Sequence, residues 1–352
     1  MEFEKFKVMQ FPRDVIVGHS ILHNIPSLVP LYSRGKGVLI ITGNITYDVT
    51  GREVESMLKD ARIETQVIKT GDATYENLVK CEEEARGIKP GIMIGVGGGS
   101  KIDLTKKSAF DLDVPFISVP TSPSHDGIAS PRASIKKGSL VLSKNARMPV
   151  AIVADTSVLI KAPYRYLAAG AADVISNVTA VLDWKLANRI KGEDVSSSAA
   201  TLAEYAATEL MEKAHMILPG VEESAWLVTK QILASGTAMA IASSSRPASG
   251  SEHLFSHAIE MTGKGTAIHG ELCALGTVAT MFLHGGDWKK LASVFKQINI
   301  SIRAADYGLS SEDVIHALST AHSIRPERYT ILGESDLSHS AAERALEITG
   351  II

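Results

Sequence analysis

Three histidines fall close together in the run GSEHLFSHAIEMTGKGTAIHGELCALG, Gly250 to Gly276: His253, His257 and His269. Imidazole is both a common metal ligand and a proton carrier near neutral pH. His253 and His257, four residues apart, share one face of a helix and can address one small volume, so spacing alone makes them candidates for joint ligation. His269 follows a Gly-Lys-Gly turn and stands just before a second apolar helical run. A single buried histidine often does no more than satisfy a core hydrogen bond. Three of them around a turn that cannot be core point to a site.

Three other stretches carry polar chemistry. Gly97-Gly98-Gly99-Ser100 follows the apolar run GIMIGV and opens a helical pattern. Glycines there let the backbone approach a phosphate, and the amides of the following helix N-terminus favour negative charge; the alternative is a tight strand-to-helix turn with no ligand. The next strand runs into Pro120-Thr121-Ser122-Pro123-Ser124-His125-Asp126-Gly127-Ile128-Ala129-Ser130, dense in hydroxyls. Ligands of open α/β sheets sit beyond the carboxyl ends of strands, where this loop begins, although an ordinary polar loop reads similarly. Finally, Gly170-Ala171-Ala172-Asp173-Val174-Ile175-Ser176-Asn177 sets Asp173 among apolar neighbours, where a carboxylate needs a partner or a metal. One Asp and two His form a nitrogen/oxygen set that leaves coordination positions open, as catalytic zinc sites do. With only Cys81 and Cys273 in the chain, no disulfide framework exists. Cys273, in an apolar helical run, is expected to pack as a small hydrophobe, leaving any ion to nitrogen and oxygen ligands.

Two kinds of element must position these residues. In the first half, strands expected at Gly37 to Thr42, Thr65 to Lys69, Gly91 to Val96, Pro115 to Val119 and Val150 to Ala154 alternate with helical patterns such as Val49 to Ala61 and Tyr75 to Arg86. That alternation predicts a doubly wound, Rossmann-like α/β domain over residues 1–162, with a side hairpin around Lys137-Gly138. From about Ala162-Pro163 the β-branched runs give way to Ala/Leu-rich helical stretches, beginning with one long helix over Tyr164 to Arg189. They predict an all-α domain over 163–352, and the cleft between the two is the expected place for a small molecule.

The totals fit an enzyme acting on a small molecule. Of the 352 residues 45% are hydrophobic and 21% charged, and the net charge of -3 argues against nucleic-acid partners or a membrane surface. No apolar run is long enough to span a bilayer, and the N-terminus MEFEKFKVMQFPRDV does not read as a signal peptide, so a cytoplasmic protein is expected. An apolar surface on the helical half would allow a homo-oligomer.

Taken together, FPRDVIVGH, GVGGGSKID, PTSPSHDGIASPRAS, GAADVISN, GSEHLFSHAIE and HGELCALG resemble the sn-glycerol-1-phosphate dehydrogenases, motif after motif over essentially the whole chain. That family is grouped with glycerol dehydrogenases, iron-dependent alcohol dehydrogenases and dehydroquinate synthases. The resemblance implies a dehydroquinate synthase-like fold and NAD(P)H-dependent, Zn2+-dependent reduction of dihydroxyacetone phosphate to sn-glycerol 1-phosphate, the backbone of archaeal membrane lipids. It makes Asp173, His253 and His269 the metal ligands, so that only the first of the i,i+4 pair ligates. It places His257 and Asp126, with Asp173, at the substrate as the catalytic and substrate-binding groups. It assigns the cofactor, NAD(H) or NADP(H), to Gly99, Ser100, Lys101, Ile102, Asp103, Thr121, Ser122, Pro123, Ser124 and Ser130.

Two departures discriminate within the group. Asn177 stands where the iron enzymes it resembles carry a histidine, and Asp173 stands where dehydroquinate synthases carry a glutamate. Gly43-Asn44 after GVLIIT lacks the carboxylate that grips an adenosine 2'-hydroxyl, which predicts tolerance of both cofactors. A substrate phosphate needs a cation, for which Arg132, Lys136, Lys137, Arg246 and Lys264 are candidates. The rival readings are a glycerol dehydrogenase for unphosphorylated glycerol, a dehydroquinate-synthase-like lyase, and a non-enzymatic nucleotide- or metal-binding scaffold.

Overall fold

The computed structural model describes residues 8–138 and 140–352. The N-terminal reading falls in part on residues 1–7, and Ser139 belongs to the expected hairpin; both lie outside the described residues. Strands β1 (Asp14–Gly18), β2 (Val38–Thr42), β3 (Thr65–Lys69), β4 (Ile92–Gly97), β5 (Phe116–Pro120) and β8 (Ala151–Asp155) form one parallel sheet in the order β1-β8-β5-β4-β2-β3. Strands β2, β4, β5 and β8 are buried along their whole length. A strand covered on both faces has no solvent side, which is why these sequences are continuous apolar runs without alternation. β6 (Arg132–Lys137) and β7 (Leu140–Asn145) pair antiparallel as a separate hairpin, as expected around Lys137-Gly138.

The chain winds outward from β2 to β3, then returns to place β4 on the other side of β2. The order therefore reverses between β2 and β4, and the crevice beyond their carboxyl ends is the natural ligand position of such a sheet. Helices α1 (Ile25–Ser33), α2 (Arg52–Asp60), α3 (Tyr75–Ile88) and α4 (Gly99–Asp111) connect these strands. Both β1 and α1 are additions to the sequence reading. β1 finds its partner in β8, with Val15 level with Ile152, so its pairing rests on a contact far along the chain.

Beyond Ala162 the longer elements among the described residues are helices. They are α5 (Tyr164–Ile175), α6 (Asn177–Lys191), α7 (Ser197–Glu212), α8 (Glu222–Ala242), α9 (Ser251–Thr262), α10 (His269–Leu283), α11 (Trp288–Gln297), α12 (Ser311–Ile324) and α13 (His339–Thr349). The single helix expected over Tyr164 to Arg189 is divided at Ser176, whose hydroxyl donates to the Asp173 carbonyl at 2.5 Å. A hydroxyl bonded back onto the preceding turn competes with the helical ladder. One apolar core runs from the sheet residues Leu39, Met93 and Ile152 to Ala171, Phe255 and Leu275 of the helices. Fully apolar contact of this kind holds the two halves around a shared site.

Candidate active site

Three helices bring Asp173, His253 and His269 to one point. Asp173 lies on α5, His253 on α9, and His269 is the first residue of α10. Glycine makes the close approach possible: a Cβ on Gly270 would stand 1.9 Å from the Ala169 carbonyl oxygen, so α10 can lie against α5 only with glycine there. The Nε2 atoms of His253 and His269 lie 3.4 and 3.7 Å from Asp173 Oδ1. That oxygen is buried and accepts no hydrogen bond among the described residues. Burial would raise the Asp173 carboxyl, but the imidazoles of His253 and His269 outweigh it and hold it well below the ordinary value.

The outer nitrogens of both rings are tied to carboxylates. Nδ1 of His253 meets Glu252 Oε1 at 2.9 Å, and Nδ1 of His269 meets Glu260 Oε1 at 2.9 Å. A carboxylate only accepts, so each ring keeps a proton on Nδ1. Burial would lower both imidazoles, but Cys273 and the neighbouring carboxylates outweigh it and raise them well above the usual value, so a bound cation would take the place of the Nε2 protons. With those protons displaced, two imidazole nitrogens and a buried carboxylate oxygen that accepts no hydrogen bond are the donor set a divalent cation requires, and the residues fit one. Glu260 does more than this, because its Oε2 also accepts from Nδ1 of His257 at 3.0 Å. His257, on the cleft wall, is therefore held beside His269, ring centroids 5.8 Å apart, and burial pushes its pKa below the usual value.

Asp126 approaches from the sheet side. Its backbone amide donates to Asp173 Oδ2 at 2.9 Å and its carboxylate accepts from Ser235 at 2.8 Å; Ser235 in turn accepts from Asn177 at 3.0 Å. Burial, then repulsion by the Asp173 carboxylate, pushes the Asp126 pKa up to about 7. The loop that carries Asp126 is seated on α5 at Gly170, where a Cβ would meet the Pro123 carbonyl oxygen at 1.8 Å. Buried Lys106 fixes the far end, donating to the Gly127 carbonyl at 2.6 Å and pairing with Asp103 at 2.9 Å.

A cleft of about 1080 Å³ joins this cluster to the glycine turn. Its walls include Gly99, Ser100, Lys101 and Asp103 from α4, and Thr121, Ser122, Ser124 and Ser130 from the loop after β5. No side chain caps the first turn of α4, which leaves its N-terminus suited to an anion. Ile102 and Pro123 are placed differently from the rest of the expected set. The Ile102 side chain is fully buried behind Gly95 in β4, its backbone amide donates to the Gly98 carbonyl, and neither residue is on the cleft wall. Asp103 is an internal strut, accepting from the Ser134 amide at 3.0 Å.

Among the cations considered for a phosphate, Arg132 and Lys136 line the cleft. Lys264 is engaged with Asp313, Arg246 is buried against Glu193, and neither lines the cleft; the ring of Lys137's neighbour Tyr75 lies 4.9 Å from its Nζ. Lys161 and Arg325, which the motifs did not single out, do line it. Burial, then the like charge of Arg325, lowers the Arg132 pKa; Arg132 donates to Ser143 and Asn145 of the hairpin, and Arg325 pairs with Glu327 at 3.6 Å. Cys273 is fully buried among apolar neighbours, as expected, but its thiol also faces the site. Its Sγ lies 3.6 Å from Nε2 of His269, with all four potential ligand atoms within 4.8 Å of one another. The available signal was its position one helical turn after His269.

A parallel nucleotide-type sheet facing a helical half that gathers a carboxylate and imidazoles defines the dehydroquinate synthase-like class of dehydrogenases. The profile described as iron-containing alcohol dehydrogenase matches residues 16–163. A probable glycerol dehydrogenase from Sinorhizobium meliloti superposes with a TM-score of 0.82 at 17% identity, covering 98% of each chain. Among curated proteins, a glycerol-1-phosphate dehydrogenase [NAD(P)+] from Picrophilus torridus is 60% identical over 352 residues, all of both chains. The enzyme of the same description from Methanosarcina barkeri is 46% identical over 98% of this chain and 97% of its own. The chain belongs to the glycerol-1-phosphate dehydrogenase family.

Proposed function

We propose that this protein reversibly reduces dihydroxyacetone phosphate to sn-glycerol 1-phosphate with NADH or NADPH, at a zinc site formed by Asp173, His253 and His269. The convergence of two imidazole Nε2 atoms on the orphaned Asp173 Oδ1, across one cleft from the glycine turn, carries this assignment. The ion supplies Lewis acidity that polarises the ketone, and the nicotinamide cofactor supplies the hydride. Asp126 orients a substrate hydroxyl from the loop side, where Ser235 and Lys106 hold it in place. His257, its pKa lowered by burial and its Nδ1 engaged by Glu260, presents Nε2 to the cleft; there it takes the hydroxyl proton in oxidation and, in reduction, passes to the substrate oxygen a proton taken up from solvent. Arg132 and Arg325, with Lys136 nearby, supply the positive charge for the phosphate.

Zinc is favoured over iron because Asn177, at the position of the iron enzymes' additional histidine, is turned to Ser235 and serves the Asp126 loop. Residues 1–162 bind the cofactor, and 163–352 hold the ion and the substrate, with Asp126, Arg132 and Lys136 reaching the substrate from the first half. Tolerance of both cofactors fits Gly43, which puts no side chain at the end of β2; its neighbour there is the Lys101 side chain, whose Cε would lie 2.7 Å from a Cβ. No helix among the described residues is long and apolar enough to cross a membrane. Exposed Tyr205, Met216, Leu218 and Trp226 on and around α7 and α8 give the helical half a surface for self-association. Comparing turnover of dihydroxyacetone phosphate with that of dihydroxyacetone tests the substrate: a strong preference for the phosphorylated ketone is expected, and equal efficiency favours the glycerol dehydrogenase alternative.

A further inference from the structure

Cys273 lies on α10 one turn beyond His269, on the same face, and is fully buried. In a tetrahedral zinc site with nitrogen and oxygen ligands at about 2.0–2.2 Å and sulfur at about 2.3 Å, the donor-to-donor edges come to about 3.4 Å for N···O and about 3.6 Å for N···S. The corresponding edges here are 3.4 Å for His253 Nε2 to Asp173 Oδ1, 3.7 Å for His269 Nε2 to the same oxygen, and 3.6 Å for His269 Nε2 to Cys273 Sγ. All four donors lie within 4.8 Å of each other. A thiol donating to His269 would use that ring's inner lone pair and still leave Asp173 Oδ1, on a residue only 1% exposed, without a partner. A shared cation satisfies all four atoms at once.

We propose that Cys273 is a fourth protein ligand of the ion, bound as thiolate, an inference that rests on the metal site assigned above. The thiol proton leaves to solvent as the ion binds, as thiolate ligation requires. Cys273 is not on the cleft wall, whereas His253 and His269 are. The sulfur therefore closes the buried side of the ion and leaves the cleft side for substrate, with expansion to five ligands during turnover, which zinc tolerates. A thiolate also biases the site toward zinc and against magnesium or manganese, which prefer oxygen donors.

X-ray absorption on the full-length zinc protein tests this without any substitution. One sulfur neighbour at about 2.3 Å is expected. Replacing zinc by cobalt(II) gives a second readout: a thiolate-to-cobalt charge-transfer band in the wild type and in Cys81→Ser, lost in Cys273→Ser. Zinc affinity of Cys273→Ser should fall by at least about tenfold. A shell of nitrogen and oxygen alone, or a cobalt spectrum unchanged by Cys273→Ser, overturns the role of Cys273 and leaves the Asp/His/His assignment standing. Failure of the wild type to retain zinc or cobalt at all overturns both.

Discussion

Replacing Glu260 by glutamine keeps size and shape but changes what the side chain can do for two imidazoles at once. The carboxylate accepts from Nδ1 of His269 at 2.9 Å and from Nδ1 of His257 at 3.0 Å. A glutamine has one accepting oxygen and one donating amide, so one of the two rings must turn acceptor at Nδ1 and carry its proton on Nε2. If that ring is His269, the lone pair facing Asp173 is lost. Loss of such an orienting partner weakens metal binding by about 10- to 100-fold, or roughly 1.4–2.8 kcal/mol. If it is His257, the ring can no longer cycle a proton through Nε2 while Glu260 stabilises its charged form, and turnover falls by about 100-fold or more even at saturating metal. Competition titration for zinc, paired with steady-state kinetics in excess zinc, separates the two cases. Glu260→Gln that binds zinc within twofold of wild type and turns over normally refutes the bridging role.

Other perturbations address the remaining parts of the cleft. Lys264→Ala should leave KM for dihydroxyacetone phosphate unchanged because Lys264 pairs with Asp313 away from the cleft, whereas Arg132→Ala should raise it by about tenfold or more, as loss of a charged hydrogen bond would; the reverse pattern, in steady-state kinetics, removes Arg132 as phosphate partner. Gly43→Asp places a carboxylate at the end of β2 and should lower kcat/KM for NADPH far more than for NADH, while the wild type should show less than a thousandfold preference for either. Gly170→Ala forces the Pro123 carbonyl away from α5, which should cost about 1–3 kcal/mol in a thermal or denaturant melt and raise KM through displacement of Asp126. An unchanged melt would mean that the loop is not seated on α5 as described.

Much of this arrangement is legible in the sequence because it depends on local pattern. Continuous β-branched runs give the buried strands β2, β4, β5 and β8 to within a residue or so, and the Ala-rich periodicity gives the helices. β1 escapes because five residues at the sheet edge become a strand only by pairing with β8. The division at Ser176 escapes because it turns on one hydroxyl bonded to the Asp173 carbonyl. At the site, Asp173 and the histidines stand out by type and neighbourhood. Their partners do not: Glu252, Glu260, Lys106 and Ser235 look like ordinary helix residues until three-dimensional packing brings them together. Arg246 and Lys264 were plausible on proximity along the chain, but their carboxylates, Glu193 and Asp313, come from distant segments. Cys273 packs in its apolar run as its neighbours suggest, and its place one turn after His269 points to the imidazole only once that ring is known to turn inward.

The most direct test is the configuration of the product formed from dihydroxyacetone phosphate and NADH by the zinc-loaded protein. Digestion with enantiomer-specific glycerol phosphate dehydrogenases should return sn-glycerol 1-phosphate, with formation abolished by chelation and restored by zinc. Formation of the sn-3 enantiomer, or product formation indifferent to the metal, would contradict the account.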